Sequence, residues 1–277
     1  MMDRRLTPAN GRVAAAHLQG QVEAQNFTEG SAAAVRVAVA DLLKAPGGAR
    51  DRQLGYGAAV TVFERHEGWA FVQAQADGFV GYVAEEALGQ ATAPTHRVAT
   101  RATHAYAEAN LKTPDRVFLT LGARLCVTGA QGSFLETEAG FVPAGHLLPL
   151  DRPDVDPVAV SERLLGTPYL WGGNSAMGID CSGLVQAGLH ACGIACPGDS
   201  DLQARALGET LASGTQPKRG DLFFWKGHVA WVADEHTLLH ANAFHMAVAY
   251  EPIAGALARI EGQGEGPVTR HARLTGV

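Results

Sequence analysis

Two stretches in the first half of the chain carry one spacing. Gly57 opens G-x-x-V-x-V-x6-W through Val60, Val62 and Trp69, and Gly122 opens G-x-x-L-x-V-x6-F through Leu125, Val127 and Phe134. Each is followed by a second short alternating run, GFVGYV at 78–83 and GFVPAGHL at 140–147. Alternating apolar and polar residues demand half-buried strands, and the glycine-rich joins demand hairpins. A repeat of roughly 55 to 65 residues, all-β in each copy, is the size of a small closed barrel. The competing arrangement is one larger β-domain over the same residues.

The repeat sets the domain plan. Residues 1–30 form an N-terminal arm or helix, 31–92 a first SH3-like barrel and 93–150 a second. The run PLDRPDVDP at 149–157, with three prolines and three aspartates, lacks apolar periodicity and reads as a linker. Residues 151–277 form the last domain. There DPVAVSERLLG predicts a helix with Asp156 as N-cap, Pro157 in the first turn and Gly166 as the stop. CSGLVQAGLHACG sets Leu184, Val185, Gly188, Leu189 and Cys192 on one helical face. GDLFFW, HVAWVAD and TLLHANA read as strands. Helices followed by a strand meander make an α+β domain.

The composition limits what such a chain does. Its 277 residues are 47% hydrophobic and 18% charged, enough for substantial cores. A net charge of −6 with scattered Lys and Arg argues against a nucleic-acid partner. No apolar run approaches the length of about 18 residues needed to span a bilayer, so no membrane anchoring is expected. Arg4 and Arg5 are not followed by an apolar stretch, and with the double Met start this points to a cytoplasmic protein. Four cysteines in a chain of this length do not make a secreted disulfide framework and are read as reduced.

Three of the four lie in GIDCSGLVQAGLHACGIAC, at 178–196. A shared metal is disfavoured, because a helix holds Cys181 and Cys192 about 16 Å apart. A Cys192–Cys196 disulfide is geometrically open but disfavoured by a reducing compartment. Cys181 stands where a loop runs into a helix. Unpaired N–H groups and the positive helix end lower a thiol pKa there and can hold an oxyanion. Cys126, Cys192 and Cys196 read as packing thiols. A nucleophilic cysteine needs a base and an orienting group. His228 and His240 flank a hairpin turned at DEHT, and their even separation of twelve lets both rings project from one sheet face. Asp180 reads either as a binder of a cation such as a peptide ammonium or as a helix N-cap. In both cases it faces away from the sulfur, since a carboxylate aimed at a thiol raises its pKa.

The segments TPYLWGGNSAMGIDCSGLVQ, DSDLQ, RGDLFFWKGHVAWV and LLHANA resemble the NlpC-type cell-wall cysteine peptidase family over about 164–253. With two SH3-like units in front, the chain is similar to a subgroup that cleaves γ-D-glutamyl-L-diamino-acid bonds in peptidoglycan stem peptides. The resemblance implies two SH3-like barrels followed by an α+β papain-like cysteine peptidase domain. It implies Cys181 as nucleophile, His228 as base and His240 as orienting residue. Tyr169 and Trp171 in PYLWGG, Asp180, Ser182 and Ser200 would contact substrate, and Tyr82 of the first barrel would help recognise a free L-Ala amine. The implied substrate is a small muropeptide carrying meso-diaminopimelate or a like residue, in cell-wall recycling, with no metal or cofactor. Gly198 stands where the subgroup commonly has Arg, and Ala58 where it has an acid, which leaves specificity open. The alternatives are an amidase or acyltransferase on the same fold, or a non-catalytic peptide-binding module.

Overall fold

The computed structural model describes residues 2–275 and divides into two compact units, Met1–Leu150 and Asp151–Val277. Among its described residues the first unit holds two large apolar cores and a smaller cluster at Val13, Phe71 and Val80. A seven-stranded antiparallel sheet runs in the order Arg50–Gly55, Val39–Leu43, Val80–Ala84, Trp69–Ala74, Ala59–His66, Ser31–Val35, Leu88–Gln90. It wraps Val35, Leu42, Val60, Val72, Phe79 and Val83. The second core gathers Val98, Ala105, Leu119, Leu125, Val142 and Leu147. It lies among a five-stranded sheet that begins with Asp115–Thr120 and Ala102–Tyr106 and a three-stranded sheet centred on His96–Val98.

Equivalent positions of the repeat take equivalent structure. Gly57 and Gly122 both hold positive φ, 74° and 82°, a conformation open to glycine and strained for other residues. Val60 and Leu125 are fully buried. Each second alternating run passes through a single 3-10 turn, Glu85–Ala87 or Ala144–His146, into a short strand, Leu88–Gln90 or Leu147–Pro149. The copies also interlock. Tyr56, from the first copy, is buried in the second core. Its carbonyl accepts from the Arg124 amide at 3.0 Å, and a Cβ on Gly57 would lie 2.0 Å from the Arg124 carbonyl oxygen.

The N-terminal segment contains no α-helix among the described residues. Val13–Ala15 and Asn26–Thr28 pair in parallel around a 3-10 turn at Ala16–Leu18. It is fastened to the first sheet rather than left as a free arm. Val13 packs with Phe71 and Val80, Arg12 and Asn10 bind Glu64, and Arg4 pairs with Asp51.

The second unit is a six-stranded antiparallel sheet in the order Glu209–Thr210, Arg270–Arg273, Asp221–Trp225, His228–Asp234, Thr237–Asn242, Ala247–Pro252. Helix α1 (Pro157–Glu162) starts where the sequence places it. The Asp156 carboxylate accepts from the amides of Val158 and Ala159 at 2.9 and 3.1 Å. It stops earlier than expected, and turns carry the chain on to Gly166. Helix α2 (Cys181–Ala191) crosses α1 and packs on the strands His228–Asp234 and Thr237–Asn242. Helix α3 (Ser200–Ala206) follows it. Helix α4 (Ile253–Gly262) sends Ala256 and Ile260 against Phe223, Trp225, Ala230, Val232 and Leu238. No helix among the described residues is long and apolar enough to cross a membrane.

Candidate active site

Cys181 is the first residue of α2 and is 7% exposed. Asp180 caps the helix: its Oδ1 accepts from the Gly183 amide at 2.7 Å and the Ser182 hydroxyl at 2.9 Å. Its Oδ2 accepts from the Gly172 amide at 3.0 Å. The carboxylate thus ties the PYLWGG loop to the helix start. A Cβ on Gly183 would meet the Gly173 carbonyl oxygen at 2.5 Å, so the close pass of loop over helix depends on that glycine. Ser182 is buried, spends its hydroxyl on Asp180 and gives its carbonyl to Gln203.

Burial pushes the Cys181 thiol up to about 12, and the nearby Asp180 charge adds to the rise. The amides of Val229, Ser182 and Cys181 pull the other way by hydrogen bonding to sulfur. The helix end does act as expected, but removal from water outweighs it. The resting group is therefore a thiol. The Val229 contact carries a second message: it brings the sulfur to the amide next to His228.

His228 and His240 are on neighbouring strands. His228 Nε2 lies 2.9 Å from His240 Nδ1, with ring centroids 5.2 Å apart. Their shared face is a consequence of a bulge. Asp234 pairs with Thr237 across the two-residue turn, whereas Val232 pairs with Leu238 and Trp231 with Leu239, so Ala233 is an extra residue on its strand. Carried unbroken from the turn, the register would set His228 across from residue 243 and put His240 on the other face. One inserted residue reverses the parity.

The chain of contacts continues past the residues singled out by sequence. His240 Nε2 lies 3.0 Å from Glu251 Oε2. Arg259, on α4, grips both carboxylate oxygens of Glu251, Nε to Oε1 at 2.9 Å and Nη2 to Oε2 at 2.8 Å. The guanidinium stands 4.6 Å over the Phe244 ring and donates to Gln263 at 3.0 Å. Burial takes His228 down to about 3 and His240 to about 4, although Glu251 opposes both shifts. The Arg259 hydrogen bonds hold the Glu251 carboxyl below its usual range, with His240 adding to the effect. Glu251 and Arg259 escaped sequence reading because their signal is a register. Glu251 pairs with Leu238 and so shares the His240 face, but this follows only from the four-residue loop that closes the hairpin at Asn242 and Ala247.

The remaining candidates come from other segments of the chain. Tyr169 is half-buried on a loop bridged to Ile179. Burial raises its phenol above the ordinary value, and any negative charge at Cys181 or Asp180 adds to the rise, so it stays a proton donor. Trp171 is 71% exposed. Ser200 opens α3, and Gln203 on that helix is fully buried. The Gln203 side-chain amide donates to the carbonyls of Ser182 and Pro197 at 2.9 and 3.1 Å, anchoring α3 to the first turn of α2. Tyr82 belongs to the first unit, where its ring centroid is 5.1 Å from that of Phe71. All four cysteines are free thiols. His240, His245 and Glu251 bring ligand-type atoms within 4.8 Å of one another, but the Arg259 charge on Glu251 opposes a cation there.

The family model for NlpC/P60 matches residues 166–259, and that for the bacterial dipeptidyl-peptidase SH3 domain matches residues 42–88. Over 143 residues the chain is 28% identical to a γ-D-glutamyl-L-lysine dipeptidyl-peptidase of Bacillus cereus, covering 48% of this chain and 42% of that one. Over 91 residues it is 40% identical to the Bacillus subtilis protein of the same name, covering 33% of this chain and 30% of the other. The chain thus spans less than half the length of either relative. A crystal structure of an NlpC/P60 family protein from Bacillus cereus superposes with a TM-score of 0.74 at 19% identity, covering 88% of this chain and 99% of that one. That likeness shows a common fold. The chain carries an NlpC/P60 family domain, with Cys181, His228, His240 and Glu251 inside it, preceded by a bacterial dipeptidyl-peptidase SH3 domain.

Proposed function

We propose that the chain is a cysteine peptidase that hydrolyses the γ-D-Glu to L-diamino-acid bond of peptidoglycan stem peptides with a free N-terminal L-Ala. The observation that carries this reading is a cysteine at the first position of α2, its sulfur toward the Val229 amide, together with a histidine chain that ends on a carboxylate held by Arg259. The substrate follows from the two Bacillus relatives, which are named for a γ-D-glutamyl-L-lysine peptide. In the same reading the second core of the first unit is another SH3-like barrel, and the second unit is papain-like. Soluble muropeptides, as released in wall recycling, are the substrate form.

Cys181 is the nucleophile and His228 the base. As sulfur attacks the γ-carbonyl carbon, the thiol proton passes to the free nitrogen of His228. The Cys181 amide and the Tyr169 hydroxyl are the donors for the oxyanion. The C–N bond breaks, and His228 gives its proton to the leaving α-amine. Water then attacks the thioester. His228 takes its proton and returns one to sulfur as the carboxylic acid departs. Trp171, Ser182 and Ser200 line the substrate side of this centre, and Asp180 holds the loop and helix together.

The test is incubation with L-Ala-γ-D-Glu-L-Lys and with L-Ala-γ-D-Glu-meso-diaminopimelate, each with a free or acetylated N-terminus, followed by mass spectrometry. Release of L-Ala-γ-D-Glu from the free peptides, abolished in Cys181→Ala, is expected. No dipeptide from the wild type, or equal release by Cys181→Ala, would sink the proposal.

A further inference from the structure

Glu251 and Arg259 do not reach the sulfur or any reacting atom in the chemistry above, yet they occupy the end of its hydrogen-bond chain. We propose that Glu251 is a positioning residue that, clamped by Arg259, decides which ring nitrogen of His240 and then of His228 carries the proton. The inference rests on His228 being the base. The observation behind it is purely one of hydrogen-bond direction.

An ionised carboxylate only accepts. The bidentate Arg259 contact fixes Glu251 in plane and in charge, and such charge-assisted pairs are among the stronger hydrogen bonds. His240 Nε2, at 3.0 Å from Glu251 Oε2, must then be the N–H. A neutral imidazole has one N–H, so His240 Nδ1 is a bare acceptor. The atom facing it at 2.9 Å is His228 Nε2, which must donate. That leaves the lone pair of a neutral His228 on Nδ1, the nitrogen free of the histidine chain. The reverse arrangement would put a proton on Nδ1 and leave no base. Arg259 is itself steadied by Gln263 and the Phe244 ring, so the clamp is built from the start of the loop to the end of α4. His245 is the other titratable group facing His240, and its charge would only deepen the preference for a neutral ring.

Replacing Glu251 by Gln makes the direction visible. The Arg259 donors claim the amide oxygen, so the amide N–H turns to His240 Nε2 and reverses every bond in the chain. Nitrogen-15 spectra of histidine-labelled, otherwise native protein read the tautomers without any substrate. The wild type is expected to show His228 and His240 both as the Nε2–H form, and Glu251→Gln to show both as Nδ1–H. Peptide cleavage by Glu251→Gln should fall at least about 100-fold in kcat with KM little changed, by analogy with wrong-tautomer triads, and Glu251→Asp should recover most of it. A wild-type spectrum with His228 as Nδ1–H overturns the proposal even if no variant folds. So does a Glu251→Gln protein that keeps the wild-type tautomers. A wild type with the expected tautomers that releases no L-Ala-γ-D-Glu would instead overturn the assigned reaction and leave the tautomer assignment standing.

Discussion

At the Cys181–His228 centre, burial moves the two groups apart in opposite directions, the thiol to about 12 and the imidazole to about 3. Neither group carries charge at neutral pH, so the resting pair is thiol and imidazole, and the proton moves only as the bond to carbon forms. Alkylation of Cys181 by iodoacetamide, followed by peptide mapping, is therefore expected to keep accelerating above pH 9. A plateau near pH 7 would mean a preformed thiolate and contradict this arrangement. The residue types and the loop-to-helix entry singled out Cys181, and the hairpin singled out His228 and His240, whose ring nitrogens the structure brings to 2.9 Å. The balance of forces on the thiol was not legible, because a helix N-terminus is visible in a sequence and the depth of its burial is not.

The elements place these residues through small deviations from regularity. The starts of α1 and α2 were readable because N-caps are local: Asp156 and Asp180 accept from amides two or three positions on, and Pro157 fits the first turn. The shared face of His228 and His240 was inferred from an even separation, yet the two-residue turn alone gives the opposite face, and the Ala233 bulge restores it. Nothing in HVAWVAD marks a bulge. Glu251 lay hidden for a related reason, since its place depends on loop size two strands away. The α2 entry offers a direct test. Gly183→Ala brings a methyl to 2.5 Å from the Gly173 carbonyl oxygen, which forces the PYLWGG loop off the helix. Peptidase activity is expected to drop at least about tenfold, as sub-ångström displacements at a reacting centre do, while circular dichroism stays that of the wild type. Full activity would show that the loop does not shape the centre.

For the molecule as a whole, the two buried histidines make stability depend on pH. Their folded pKa values, about 3 and about 4, lie below the ordinary 6.5. As pH falls through 6.5 the unfolded chain takes up protons that the folded chain refuses, so stability drops until the folded values are reached. The slope is at most about 1.4 kcal/mol per pH unit for each histidine. Asp221 acts lower in the same direction. Burial opposes its ionisation, but Arg273, His271 and the Lys218 amide outweigh that and hold its carboxyl below 3.8. Its contribution is present above the unfolded value and is lost as pH falls through the folded one. The urea midpoint of the second unit's tryptophan fluorescence should fall steadily from pH 7 to pH 5, and a flat midpoint there would show that the histidines titrate normally in the folded chain.

The Tyr56 side chain, rooted in the first copy of the repeat and seated in the core of the second, makes the copies dependent on each other. Splitting the chain between them would strand an aromatic ring in water on one side and open a hole of its size on the other. What reads in the sequence as two separate copies is therefore one folding unit, in which the second core is incomplete without the first copy.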